Sequence, residues 1–192
     1  MKALISYGVV VLAFVGLVGC TVSVPLDPIQ MSGNTPVAFA GGFERIVVDL
    51  SDNDQFMQYQ NRFRGFESVR VSAEATNVTG ADQQLRIYVS DNEGLTAGNA
   101  ATTGTWLATI DIPATAVDQE VSATVGEAAK RTVEGYLQAT PPVFYVYILS
   151  TATEDGGLSV RNITFEPGSA VFSIFRIRAS HQGTSVEIRW AQ

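Results

Sequence analysis

Phe66-Glu67-Ser68-Val69-Arg70-Val71-Ser72-Ala73-Glu74-Ala75, followed by Thr76-Asn77-Val78-Thr79-Gly80 and then Gln84-Leu85-Arg86-Ile87-Tyr88-Val89-Ser90, is the stretch on which the fold turns. Val69, Val71, Ala73 and Ala75 alternate with Arg70, Ser72 and Glu74; Leu85, Ile87 and Val89 alternate with Arg86 and Tyr88. Successive side chains of a strand point to opposite faces, so this period of two marks strands with one buried face. The polar, glycine-ended segment between them reads as a turn, and the two strands are expected to pair as a hairpin.

The same period recurs outward in both directions. Residues 43–50 carry Ile46, Val48 and Leu50 in phase; Trp106, Ala108, Ile110 and Ile112 share an apolar phase, which predicts that Trp106 packs in the core; Val121, Ala123 and Val125 make a shorter strand. Val143–Ser150 is apolar in both phases, the pattern of a central strand covered on both sides. Glu154-Asp155-Gly156-Gly157 reads as a hairpin turn into Leu158–Phe165, where the apolar phase slips and predicts a bulge near Arg161-Asn162. A last hairpin is expected from Phe172–Ala179 through His181-Gln182-Gly183 to Ser185–Trp190. Two segments change to helical spacing. In 52–64, Phe56, Tyr59/Gln60 and Phe63 share a face; in 127–138, Ala128, Ala129, Thr132, Val133, Tyr136 and Leu137 face away from Glu127, Lys130, Arg131 and Glu134. Residues 91–104, nearly devoid of apolar side chains, read as an exposed loop. About nine strands and two short helices predict a mainly β protein, an antiparallel β-sandwich of immunoglobulin-like or jelly-roll type.

The N-terminus is of another kind. Met1-Lys2 is followed by an uncharged apolar run, Ala3–Val18, and then Gly19 and Cys20, the only cysteine. The run is shorter than the roughly 20 residues a spanning helix needs, and its charge and length are those of an export signal. Leu17-Val18-Gly19-Cys20 resembles the lipobox of bacterial lipoproteins: aliphatic, small or β-branched, small, cysteine. The resemblance implies cleavage before Cys20, acylation of Cys20, and attachment to a membrane through those acyl chains in the bacterial cell envelope. Thr21, where an aspartate would favour inner-membrane retention, leans towards the outer membrane. The expected division is then a signal peptide (1–19), a lipid-anchored cysteine with a flexible tether carrying Pro25, Pro28 and Pro36 (20–42), and one sandwich domain (43–192).

Composition bounds the function. Beyond residue 19 the chain has 11 basic and 19 acidic residues, a net of −8, which argues against nucleic acid as a partner. With no cysteine besides Cys20, no disulfide within the chain can brace the domain. His181 is the only histidine and reads as a turn residue; one histidine and no free thiol exclude a His/Cys zinc site within one chain. Asp49, Asp52 and Asp54 are weak calcium candidates, with helix capping the simpler reading. Glu74, Asp111 and Glu187 are strand carboxylates of the kind a glycan hydrolase would pair, but each falls on a polar phase where solvent explains it. No catalytic residue and no cofactor is expected. The expectation is a non-enzymatic, lipid-anchored binding or accessory subunit with an envelope protein or glycan as partner. A carbohydrate-binding module for cell-wall or surface polysaccharide is the alternative, and a carboxylate-based hydrolase a more distant one.

Overall fold

The computed structural model describes residues 21–25, 28–31, 37–38, 42–152 and 157–173. They form β1 (Thr21–Pro25), β2 (Ile29–Gln30), β3 (Val37–Ala38), β4 (Phe43–Asp49), β5 (Phe63–Phe66), β6 (Val69–Asn77), β7 (Gln83–Ser90), β8 (Thr105–Ile112), β9 (Gln119–Thr124), β10 (Val143–Ser150), β11 (Leu158–Pro167) and β12 (Ser169–Ser173). The helices are α1 (Asp54–Tyr59), continued by a 3₁₀ turn over Gln60–Arg62, α2 (Ala100–Thr103) and α3 (Glu127–Gln138). The protein is mainly β, and the described strand pairs are antiparallel.

Two sheets face each other. One has the order β4-β10-β7-β8; the other has β2-β11-β6-β9, with β3 also on β11. Their inner faces share one core, with Val71, Ala73, Val160 and Phe165 from one side and Leu85, Ile87, Phe144 and Val146 from the other. Val133 and Leu137 of α3 close that core at its edge. A third, small sheet, β1-β12-β5, extends the β6–β11 pair beyond Ser68 and Gly168. The helix at 127–138 stands where its periodicity puts it, except that Ala128, expected on the apolar face, is exposed, and Lys130, expected on the exposed face, is buried and donates to Glu127 and to the carbonyl of Glu67.

The expected hairpin at 66–90 does not form. β6 pairs with β9 and β11, whereas β7 pairs with β8 and β10, so the connection crosses from one sheet to the other. Asn77 holds this arch: its buried side-chain amide donates to the carbonyls of Ala81 (2.9 Å) and Pro113 (3.1 Å). An arch and a hairpin turn the same apolar phases towards one core, so alternation alone does not separate them. The strands before and after 154–157 likewise lie in opposite sheets. The bulge does form: the β6–β11 register shifts between Arg161 and Thr164, and Asn162 takes φ 51°.

The helix predicted over 52–64 ends early. β5 begins at Phe63 because Gly65, at φ +151°, brings its backbone against Glu134; a Cβ there would meet Oε1 at 2.5 Å. Parts of the stretch expected as a tether are strands: β1 pairs with β12, and β2 and β3 pair with β11. The expected 172–190 hairpin lies outside the described residues after Ser173, as do His181, Glu187 and Trp190.

Strand direction gives the sandwich two poles. One gathers the start of β1, α1 and the end of α3; the other gathers the arch at Asn77 with Val78 and the β8–β9 turn at Val117.

Candidate functional site

The outer face of the four-stranded sheet carries a side-chain row one residue deep across all four strands. Arg45 of β4 lies opposite Tyr147 of β10, Tyr147 opposite Tyr88 of β7, and Tyr88 opposite Trp106 of β8. Directly opposed residues share a face, so these four form a ladder. Phe43 stacks on Tyr147 with ring centroids 6.0 Å apart.

The 91–104 segment, expected to be an exposed loop, folds back over most of this row. Leu95 and Ala100 are buried against Tyr88 and Tyr147 in a second apolar cluster. The Tyr147 hydroxyl donates to the carbonyl of Asn92 at 2.5 Å, and Arg45 Nη1 donates to the carbonyl of Glu93 at 2.9 Å while facing the Glu93 carboxylate at 3.4 Å. Burial pushes the Tyr147 phenol above its ordinary value. Both faces of β10 are therefore covered, as its double apolar phase predicts.

Trp106 is the aromatic member of the row left uncovered. Its side chain is 55 % exposed, not packed in the core. The cause is a register shift opposite Ile87/Tyr88: Leu107 and Ala108 both turn inward, and the apolar phase slips by one residue before Trp106. A phase read from Ile112 backwards cannot reveal this. Trp106 Nε1 donates to Thr109 Oγ1 at 3.2 Å, which fixes the indole on the sheet surface. Arg86 lies opposite Thr109, and Gln84 donates to Asp111 at 2.8 Å, so hydrogen-bonding groups run alongside the ring. An exposed aromatic face bordered by such groups can stack on an apolar surface and orient it by hydrogen bonds.

A second concavity lies between α3 and β5. It is open, of about 270 Å³, and lined by Arg64, Lys130, Arg131 and Glu134 among others. Its carboxylates are already used: Glu134 accepts from the Phe66 amide at 2.8 Å and Glu127 from Lys130 at 2.9 Å. Its volume falls just below the roughly 300–1,000 Å³ of small-molecule sites.

The residues singled out by sequence do not converge. Leu17, Val18, Gly19 and Cys20 lie outside the described residues, which begin at Thr21. Asp49 accepts from the Ser51 amide at 2.8 Å, and hydrogen bonding from the Ser51 hydroxyl, then from that amide, holds its carboxyl below the ordinary value. The cap of α1 is Asn53, whose side chain accepts from the Phe56 amide; Asp54 occupies the first turn. Among the described residues no group of three or more acidic, histidine or cysteine side chains is placed to hold a metal. Glu74 pairs with Arg161 at 2.6 Å, and Asp111 with Gln84, on the outer faces of opposite sheets.

No family model and no curated protein sequence matches the chain. Among solved structures, similarity is found to Desmodium yellow mottle tymovirus, at TM-score 0.39 and 14 % identity over 84 % of this chain and 91 % of that one. Recombinantly expressed latent aurone synthase, a polyphenol oxidase, is similar at TM-score 0.41 and 12 % identity over 80 % of this chain and 29 % of that one. Tobacco necrosis virus is similar at TM-score 0.37 and 17 % identity over 81 % and 95 %. Similarity at this level carries no argument about fold or function; the architecture rests on the strand pairing described above.

Proposed function

We propose that the protein is a lipid-anchored, non-enzymatic binding subunit of the bacterial cell envelope, on the outer membrane in preference to the inner. It is held by acyl chains on Cys20 and meets its partner with the outer face of the four-stranded sheet. The lipobox resemblance of Leu17-Val18-Gly19-Cys20 supports the address. The observation that carries the binding role is Trp106, a large aromatic side chain more than half exposed at one end of a row whose tyrosines, Tyr88 and Tyr147, are covered. Trp is among the residues most enriched where protein surfaces hold partners.

The same observation favours a glycan reading as the second choice. A sugar ring presents an apolar face to an indole, and Arg86, Thr109, Gln84 and Asp111 would meet its hydroxyls.

A photoreactive residue at position 109 of the full chain, beside the intact Trp106 indole, followed by mass spectrometry, tests the role in intact cells. Amine-directed crosslinkers are unsuited, because Lys130 is the only lysine after Cys20 and is 8 % exposed. A protein or glycan adduct from position 109 and an acyl mass on Cys20 are the expected results. An unmodified Cys20, or a position 109 that captures nothing beyond solvent, would contradict the reading. Quenching of indole fluorescence by cell-wall polysaccharide, lost in Trp106→Phe, would select the glycan.

A further inference from the structure

We infer that the pole of the sandwich formed by α1 rests on the lipid headgroup layer, with Met57 and Tyr59 as the contact and Arg62 beside them; this rests on the lipid-anchor reading of Cys20. Cys20 leads directly into β1 in the sequence. Thr21, the residue after Cys20, pairs with Ser173, and Val22 pairs with Phe172. No spacer therefore stands between the attachment residue and the first paired strand. At a maximum of about 3.6 Å per residue, the chain allows Cys20 no more than about 7 Å from Val22.

Phe172 fixes what lies next to that point. Its ring is 6.1 Å from Tyr59 and 6.0 Å from Phe63. β12 thus lies between β1, which follows the attachment residue, and β5, which follows α1, and the Phe172 end of β12 meets both Val22 and Tyr59. Met57 is 37 % and Tyr59 41 % exposed there, and the Arg62 guanidinium lies 5.9 Å over the Tyr59 ring. Tyrosine with arginine is the pairing that suits a membrane–water interface, with an amphipathic ring at headgroup depth and a cation among phosphates.

Exposed Asp52 and Asp54 at the start of α1 set the depth. Burying these carboxylates in hydrocarbon would be costly, so the contact stays in the headgroup layer. The contact can be weak by itself, because the anchor makes it intramolecular and raises the effective concentration of lipid at this pole. Val78 and Val117 at the opposite pole, 69 % and 72 % exposed, are then held away from the bilayer.

The acylated full chain permits a direct test, because its one native thiol is consumed by lipid. Met57→Cys, Tyr59→Cys and Val117→Cys each introduce a single reactive thiol. Each is labelled with an environment-sensitive fluorophore after purification from bacterial membranes. The labelled proteins are reconstituted into vesicles of phosphatidylethanolamine and phosphatidylglycerol containing lipid spin-labelled near the headgroup. Quenching at 57 and 59 is expected to exceed that at 117 several-fold. Acylated protein that floats with the vesicles yet quenches equally at all three positions overturns the contact and leaves the anchor reading intact. Protein with a Cys20 free of acyl mass, failing to float, removes the anchor reading and the contact with it. Melting curves of the three variants matching the wild type exclude misfolding as a cause of equal quenching.

Discussion

β10 has two faces that differ in what they are built for. Inward it presents Phe144, Val146 and Ile148, all fully buried in the core shared by both large sheets. Outward it presents Tyr145, Tyr147 and Leu149, part of an aromatic face that the 91–104 segment covers only as far as Tyr88. The inner face is continuous and apolar, so its groups have no use except cohesion. The outer face mixes rings with hydroxyls, a guanidinium and backbone carbonyls, and it ends in an indole facing water. The binding role proposed above would then sit on the side of these strands opposite the core.

Four changes would break or sharpen that division. Phe144→Ala, on the inner face, should lose about 3–5 kcal/mol of stability, read from the urea midpoint, since it empties a fully buried ring site. A loss below about 1 kcal/mol would mean that the core is not shared as described.

Tyr147→Phe, on the covered part of the outer face, should cost about 1–3 kcal/mol by leaving the Asn92 carbonyl without its donor. It should also alter the alkaline limb. Burial favours the neutral phenol in the folded state, so stability is full below the ordinary phenol value of about 10 and falls as pH rises through it. Tyr136, also raised chiefly by burial, acts in the same direction, so the variant should weaken that fall and not abolish it. An unchanged limb in thermal melts from pH 9 to 11, approximate bounds set by that value, would contradict the covering role of the segment.

Trp106→Ala, at the exposed end, should change stability by less than about 1 kcal/mol while removing partner capture. Arg86→Ala should be smaller still: about 0.5 kcal/mol or less in stability, with partner affinity reduced up to tenfold if the guanidinium orients the ligand.

The inner face was legible in the sequence and the outer face was not. Period-two alternation located β4, β7, β8 and β10 and their buried phases, because one buried side in two leaves a direct trace. It also gave the sandwich class, and the slip at Arg161-Asn162 gave the bulge. The pairing of β6 with β7 was misread because a hairpin and an inter-sheet arch share one pattern, and only the buried Asn77 amide distinguishes them. Trp106 was misread because the bulge opposite Tyr88 has no signature in β8 itself. Leu95 and Ala100 are too few to mark 91–104 as a cover, although the second apolar phase of β10 required one. Gly65 left a usable signal: a glycine inside a strand marks close approach of something else, here Glu134.

The most direct test compares Trp106→Ala with the wild type in two readouts on the same full-length protein: the thermal midpoint, and the yield of envelope adduct from a photoreactive group at position 109. Position 109 adjoins the indole, since Trp106 donates to Thr109. The expected result is an unshifted midpoint with the adduct lost. A midpoint that falls as far as that of Phe144→Ala, or an adduct that persists at wild-type yield, would contradict a face built for binding.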